Sequence, residues 1–195
     1  SLLYLSLFEQ GLFQQVPTRT EKDEAFKGFH SLTLLLTRGC TMGCSYCYAS
    51  AKPKGPSMPL DLAVGSLEWF LEQLPDNQVR ITFHGGGEPT MERETIQAVV
   101  ARAEELKGDR STTFLITTNG TADESFMRWM ISKKFGISIS MDGPPEIQDR
   151  NRPMVDGRRS SQVVEQTVRL LVREQYPFTI RVTFSPVDDV EKIIK

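Results

Sequence analysis

The chain contains 195 residues with a formal net charge of −2, and 39% of its residues are hydrophobic. This length suffices for one sizeable core and is too short for two large domains. There is no basic excess for nucleic acid, and no apolar run approaches the roughly 20 residues of a membrane-spanning helix. We therefore expect one main domain with neither a nucleic-acid nor a membrane partner.

Residues 1–30 differ from the rest of the chain, and we expect a separate N-terminal hairpin and linker segment there. Apolar residues alternate near the start, Gly11 allows a turn, and residues 17–28 are polar. The first residue is Ser1, and Lys195 lies within the start of an expected helix, so we interpret both ends as cuts. Residues 31–195 are expected to form the main domain, incomplete at its C-terminus.

Five short runs rich in β-branched and aromatic residues are predicted to be strands. They are Leu32–Leu36, Val79–Phe83, Thr112–Thr117, Gly136–Ser140 and Phe178–Phe184. Helical spacing occurs between them, at Leu60, Val64, Leu67, Leu71 and Leu74, at Ile96, Val99 and Ala103, at Phe126, Trp129 and Met130, and at Val164, Val168 and Leu171. A capping-box pattern of Thr121 and Glu124 predicts the start of the third helix.

Strands that alternate with helices predict βαβ units with a parallel sheet and right-handed crossovers. Such units form either a barrel or an open doubly wound sheet, and in both the ligands bind at the carboxyl ends of the strands. The motifs of interest lie at those ends, where Cys40, the Gly85–Glu88 turn, Asn119 and Asp142 follow the first four strands in turn. We expect the chemistry to gather there.

All three cysteines lie in one loop with the spacing Cys40-x3-Cys44-x2-Cys47. An odd, tight cluster does not fit a secreted disulfide framework and favours metal binding in a reducing cytoplasm. Three thiolates hold three corners of an iron–sulfur cubane and leave one iron open, as in a catalytic site, and Gly39 and Gly43 allow the loop to wrap closely around it.

Two other interpretations of the cysteine loop remain open at this point. One is a structural zinc ion with a histidine as its fourth ligand, although the chain offers only His30 and His84 and neither has a usual finger spacing. The other is three thiols without a metal.

The glycine-rich turn Gly85–Glu88 follows the second predicted strand and precedes a helix. Its glycines allow close backbone approach to a ligand, and Glu88 adds a carboxylate. It does not match a dinucleotide fingerprint, because the third glycine is missing and Pro89 stiffens the turn. A nicotinamide-dependent enzyme is therefore a poor interpretation, and taken alone a triple glycine is more often a tight turn than a site.

The ends of the third and fourth strands carry weaker signals. Asn119-Gly120 alone indicates a plain turn, whereas Ser140 and Asp142 share one face of the chain by period two. The arginines that follow suggest a solvated loop, from which one side chain reaches a ligand carboxylate or ribose. They are Arg150, Arg152, Arg158 and Arg159.

Taken together, these motifs resemble those of the radical S-adenosylmethionine (SAM) superfamily. The three-cysteine loop with an aromatic residue, Tyr46, before its last cysteine is the hallmark, and the Gly86–Pro89 turn and Asn119-Gly120 follow in the right order. The resemblance covers about residues 31–195. It implies an α/β fold that is a partial (βα)6 TIM-like barrel, here truncated after the fifth strand.

Within that superfamily, Cys47-Tyr48, Ser140–Pro144 and Ile147–Arg152 are similar to the peptide- and protein-modifying branch, which includes anaerobic sulfatase maturases and SPASM-type enzymes. The resemblance implies a [4Fe–4S] cluster on Cys40, Cys44 and Cys47. It also implies SAM contacts with the adenine by Tyr46, with the methionine amine by Gly86, Gly87 and Glu88, with the ribose by Ser140, and with the methionine carboxylate by Arg152. Asn119 and Asp142 complete the expected cofactor-binding set.

The implied activity is reductive cleavage of SAM, followed by abstraction of hydrogen from a peptide or protein substrate during its maturation. An electron donor of the flavodoxin or ferredoxin type and a cytoplasmic location are expected with it. The branch usually carries further cysteines for auxiliary clusters, and this chain has none. The same chemistry on a small molecule, and a non-catalytic metal-binding module, are the alternatives.

Overall fold

The structure is a computed structural model that describes residues 28–74 and 77–184. Nearly all of the expected N-terminal hairpin and linker lies outside the described residues. The boundary near residue 30 therefore stays a prediction.

Five parallel strands form one sheet in the order β1-β2-β3-β4-β5. They are β1 Leu32–Leu35, β2 Gln78–His84, β3 Ser111–Thr118, β4 Gly136–Ser140 and β5 Phe178–Arg181. The strand order never reverses, as it would in a doubly wound sheet. The expected α/β fold with a partial barrel is thus confirmed, as an open five-stranded sheet within the described residues.

The fifth strand is shorter than predicted, because it ends at Arg181 and not at Phe184. The backbone N–H of Thr183 donates to Asp142 Oδ1 at 3.1 Å instead of joining the sheet. A side chain of the neighbouring loop therefore ends this strand.

Five α-helices and one 3-10 helix connect the strands in the described part of the chain. They are α1 Leu60–Glu72, the 3-10 helix Pro89–Glu92, α2 Arg93–Leu106, α3 Glu124–Ser132, α4 Pro145–Asn151 and α5 Ser160–Arg173. None of these helices is long and apolar enough to cross a membrane.

The structure corrects three expectations for the helices. Leu60 does not belong to the buried face of α1, since it is 50% exposed and Ala63 and Phe70 occupy that face with Leu67. The predicted capping box at Thr121 is wrong, because Asp123 caps α3 by accepting from the backbone N–H of Phe126 at 3.0 Å. The short helix α4 forms where the sequence suggested a solvated loop.

The core lies between the helices and one face of the sheet. Alternate residues of β2, namely Val79, Ile81 and Phe83, are fully buried there, as period two predicts. Phe135 stacks on Phe83 and Phe114 with ring centroids 5.8 and 5.4 Å apart. Each such side chain contributes about 1.5–3 kcal/mol when it leaves water.

The opposite face of the sheet carries smaller and more polar side chains. Thr82, Thr117 and Ser138 are only partly buried on it. At the carboxyl ends of the strands this face continues into His84 and Ser140, which line a cavity. The topology thus brings the strand-end motifs to one edge.

Candidate cofactor site

A cavity of about 450 Å³ opens at the carboxyl ends of the five strands. Ligand pockets in proteins have volumes of roughly 300–1,000 Å³. Its lining includes every residue of the predicted site except Asp142: Cys40, Cys44, Tyr46, Cys47, Gly86, Gly87, Glu88, Asn119, Ser140 and Arg152. The structure therefore brings together residues that are up to 112 positions apart, from Cys40 to Arg152.

The cysteine loop is held by backbone hydrogen bonds to two other loops. The N–H of Cys40 donates to Lys52 O at 2.7 Å, and the N–H of Gly43 donates to Pro153 O at 2.8 Å. Within the loop, the N–H of Cys47 donates to Cys44 O at 3.1 Å. These bonds fix the three cysteines without engaging their thiols, all of which are free and half-buried.

Burial makes the thiols reluctant to ionise in the metal-free protein. It raises the pKa of Cys44 to about 11, and the neighbouring thiols of Cys40 and Cys47 add to the effect while Arg152 opposes it. Burial also raises the pKa of Cys40. Metal binding to such thiols displaces their protons.

Two N–H groups point at the sulfur atoms. Asn119 Nδ2 lies 3.7 Å from Cys40 Sγ, and the backbone N of Ala51 lies 3.5 Å from Cys47 Sγ. Hydrogen bonds to sulfur are one of the features that set the potential of an iron–sulfur cluster. They indicate a site built around sulfur ligands that carry negative charge.

Glu88 is 2% exposed and accepts four hydrogen bonds from the protein. Oε1 accepts from the hydroxyl of Thr118 at 2.6 Å and from both the hydroxyl and the N–H of Thr90. Among the described residues, Oε2 accepts only from the N–H of Asn119, at 2.7 Å. Burial nevertheless raises the pKa of this carboxyl, and the four donors oppose the rise. Oε2 thus keeps a lone pair for a cationic ligand.

The glycine turn packs directly against the cysteine loop. The N–H of Gly87 donates to Thr37 O at 2.9 Å, and that of Glu88 donates to Gly39 O at 2.8 Å. A Cβ placed on Gly87 would lie 1.8 Å from Gly39 O, so only glycine allows this approach. The sequence predicted that the glycines allow the backbone to approach a ligand closely. At Gly87 the close approach is instead between two loops of the protein.

Asn119 ties the end of β3 to both loops. Its Nδ2 donates to Thr41 Oγ1 at 3.0 Å, and its Oδ1 accepts from the N–H and the hydroxyl of Thr121. Gly120 has a φ of 78°, a conformation that favours glycine. Asn119-Gly120, which alone indicates a plain turn, therefore also holds the cysteine loop in place.

Asp142 lies behind the cavity wall and is 0% exposed. Its Oδ2 accepts from the Tyr46 hydroxyl, and its Oδ1 pairs with Arg152 Nη2 at 3.0 Å. The Arg152 guanidinium also lies over the Tyr46 ring, 5.3 Å from its centroid. Burial and then Asp142 raise the pKa of Tyr46, so the phenol stays protonated and donates.

The arginine group splits into two environments. Arg158 and Arg159 are exposed and pair with Asp156 and Asp149, as expected of a solvated loop. Arg152 is 8% exposed and lines the cavity. Only this arginine of the predicted group reaches the site.

Sequence reasoning missed Arg181, Val182 and Thr183, which also line the cavity. A signal existed, because Arg181 ends a strand as the other site residues do. Its strand was expected to run on to Phe184, which hid the position. Tyr48 was also missed as a lining residue, and its hydroxyl donates to Gly85 O at 3.2 Å.

The donor set fits an iron–sulfur cluster. Three free thiols border one cavity, and N–H groups point at two of their sulfur atoms. Among residues 28–74 and 77–184 no set of three or more His, Cys, Asp and Glu side chains gathers around the position of a single ion. A cubane differs from an ion in that its corners lie apart, so thiols around a cavity suit it.

The sequence profile of the Radical SAM superfamily matches residues 34–195. The chain belongs to the Radical SAM superfamily. Members of this superfamily are enzymes that use a [4Fe–4S] cluster and SAM, so the expected enzyme class and cofactors are confirmed.

Two curated relatives and one solved structure are similar to this chain. It is 26% identical over 177 residues to the cysteine-type anaerobic sulfatase-maturating enzyme of Clostridium perfringens, covering 84% of this chain and 48% of that protein. It is 34% identical over 122 residues to the Fe-coproporphyrin III synthase of Methanosarcina barkeri, covering 61% and 29%.

The solved structure is that of anSMEcpe with bound AdoMet and the Cp18Cys peptide. It has a TM-score of 0.73 and 26% identity, covering 84% of this chain and 46% of that one. The radical SAM chain thus spans half or less of the length of these relatives.

Proposed function

We propose that this chain is the core of a radical SAM enzyme that abstracts hydrogen from a peptide or protein during its maturation. The observation that carries the proposal is the meeting of three free thiols with the Gly86–Glu88 turn and with Arg152 in one cavity. Residues 31–195 form this core in the proposal, and the profile match over 34–195 supports that boundary. Three free cysteines also favour a reducing, cytoplasmic location.

In this proposal Cys40, Cys44 and Cys47 bind three irons of the cluster as thiolates. When bound, the cluster and SAM together supply an electron and a reactive radical that takes hydrogen from the substrate. The protein supplies binding, orientation and a partly closed cavity. No catalytic residue beyond the cluster is proposed in this chain.

The proposed SAM contacts follow from the hydrogen-bond donors and acceptors that each side chain does not use within the protein. Glu88 Oε2 and the Gly86–Gly87 backbone face the methionine amine, whose N–H groups donate to the lone pair that Oε2 keeps. Arg152 faces the methionine carboxylate with donors that its pairing with Asp142 leaves over. Ser140 lines the cavity at the end of β4 and offers its hydroxyl to the ribose.

Tyr46, Asn119 and Asp142 support this arrangement from the cavity wall. Tyr46 presents its ring to the adenine while its hydroxyl stays on Asp142. Asn119 holds the cysteine loop, and Asp142 holds the side chains of Tyr46 and Arg152 in position. Both act in the proposal by positioning other groups.

The test is SAM cleavage by the purified chain after anaerobic cluster assembly. Before reduction, the assembled protein should contain iron and absorb broadly at about 400 nm. Reduction with dithionite in the presence of SAM should then give 5′-deoxyadenosine, detected by chromatography. Cys44→Ala should lose the iron and the product, whereas the neighbouring control Ser45→Ala should keep both. A loaded cluster that gives no 5′-deoxyadenosine would favour the non-catalytic module.

The substrate class is proposed from the sulfatase-maturating relatives and from the peptide in the anSMEcpe structure. A cysteine-containing peptide deuterated at its Cβ should pass deuterium into 5′-deoxyadenosine. The match to an Fe-coproporphyrin III synthase favours a small molecule as the second candidate. Deuterium transfer from a deuterated porphyrin, and none from the peptide, would select that candidate.

A further inference from the structure

Three exposed cations flank the cysteine loop in the chain. They are Arg38, Lys52 and Lys54, named here the basic rim. Residues 31–60 contain no aspartate or glutamate at all, although the whole chain carries a net charge of −2. Three cations and no carboxylates give the segment that holds the thiols a formal net charge of +3.

The basic rim is fixed against the cysteines by backbone contacts. Lys52 O accepts from the N–H of Cys40 at 2.7 Å, and the N–H of Lys52 donates to Arg38 O at 3.3 Å. A Cβ on Gly55 would lie 2.5 Å from the backbone carbon of Arg38, so the loop after Lys54 also packs closely. The backbone that carries the three cations is thus held against the cysteine loop.

The basic rim has no acidic partner within the described residues. Several other surface cations of this chain are paired, as in Arg102 with Glu68 and Lys133 with Glu104. Two carboxylates bind hydroxyl groups of this segment, Asp142 that of Tyr46 and Glu92 that of Ser57, and neither pairs with a cation of the basic rim. The positive charge beside the cysteines is therefore available to a partner.

We propose that the basic rim is the docking surface for an acidic one-electron donor protein, and this rests on the proposed function. Complementary charge steers encounter and orients transient redox complexes, whose interfaces are small. In the step served by docking, a reduced flavin of the donor gives up one electron and the oxidised cluster takes up that electron, with no bond made and no proton moved.

The test measures binding of a purified acidic flavodoxin to the cluster-loaded chain. The variant Lys52→Glu/Lys54→Glu should raise the Kd at least about 10-fold at about 20 mM salt. The difference in Kd between variant and wild type should shrink at about 300 mM salt, where charges are screened. The control Lys107→Glu/Arg173→Glu makes the same change in net charge near the amino ends of the strands. It should alter the Kd less than about twofold.

A second readout separates docking from cluster chemistry. With dithionite as the reductant, Lys52→Glu/Lys54→Glu should cleave SAM within about twofold of the wild-type rate, while the flavodoxin-driven rate falls about 10-fold or more. An equal loss of affinity for flavodoxin in both double variants, or no loss of affinity in either, would overturn the proposal. Failure of SAM cleavage in the wild type would reject the proposed function and leave the Kd comparison valid.

Discussion

Asp142 joins three other parts of the chain through one carboxylate. Tyr46 from the cysteine loop, Arg152 from the end of α4 and the backbone of Thr183 after β5 all donate to it. Its own N–H donates to Gln148 Oε1 at 2.8 Å. A buried charge in such a pair is costly to leave without its partner.

Replacing Asp142 should therefore destabilise the protein strongly. Asp142→Asn leaves the charge of buried Arg152 uncompensated, and we expect a loss of about 3–5 kcal/mol in the free energy of unfolding. The control Asp156→Asn removes an exposed partner of Arg158 and should cost about 0–1 kcal/mol. Denaturant titration of the metal-free protein measures both, and equal losses would contradict the role of Asp142.

Glu88 should make stability depend on pH. Burial raises the pKa of its carboxyl above 4.5, so the folded protein keeps this proton to a higher pH than the unfolded chain does. The stabilisation is fully present below the unfolded pKa and is lost as pH rises through the folded pKa.

Glu88→Gln removes this titration but also loses the bond from the N–H of Asn119, which lowers stability by a constant amount. The wild type should therefore lose stability relative to the variant as the pH rises above about 4.5 and through the raised pKa of Glu88. Guanidinium unfolding of the metal-free proteins measures the difference. A difference that stays constant with pH would show that the carboxyl is not perturbed.

At the scale of elements, the turn after β2 and the loop after β1 form one unit. Two backbone hydrogen bonds join them, and Gly87 fits directly against Gly39 O. The same turn carries Glu88, whose carboxylate binds the end of β3. The position of the cysteines therefore depends on a loop that contains none of them.

A single methyl group should disrupt this unit. Gly87→Ala places a carbon where backbone atoms of Gly39 lie, and we expect a loss of about 3 kcal/mol or more in stability together with reduced iron loading. Gly65→Ala is the matched control, since its Cβ meets nothing within 4 Å and α1 should gain about 0.5–1 kcal/mol. Thermal unfolding that shifts equally in both variants would contradict the packing argument.

The elements whose apolar residues recur with a regular period were predictable from the sequence. All five strands lie where β-branched runs occur, because each buries alternate residues on one face. The features that were missed depend on tertiary contacts. Helix α4 lacks an apolar period, and β5 ends early because Thr183 bonds to a distant carboxylate.

For the whole molecule, topology explains why the site was predictable. Parallel strands in sequential order bring every loop that follows a strand to the same edge, so Cys40, Glu88 and Asn119 had to meet. Which of the site residues face the cavity and which bind other protein groups was not predictable, because tertiary hydrogen bonds decide it. Asp142 points to protein partners, and Arg181 enters the cavity from a strand whose end had been misplaced.

The central claim is that three cysteines leave one iron of the cluster open for SAM. Electron-nuclear double resonance on the reduced, cluster-loaded chain tests it directly, using SAM labelled with ¹⁵N in its methionine amine. We predict a changed cluster signal with coupling to the labelled nitrogen, which requires the amine to bind an iron. A cluster signal that SAM does not alter, with no coupling to the label, would contradict the account.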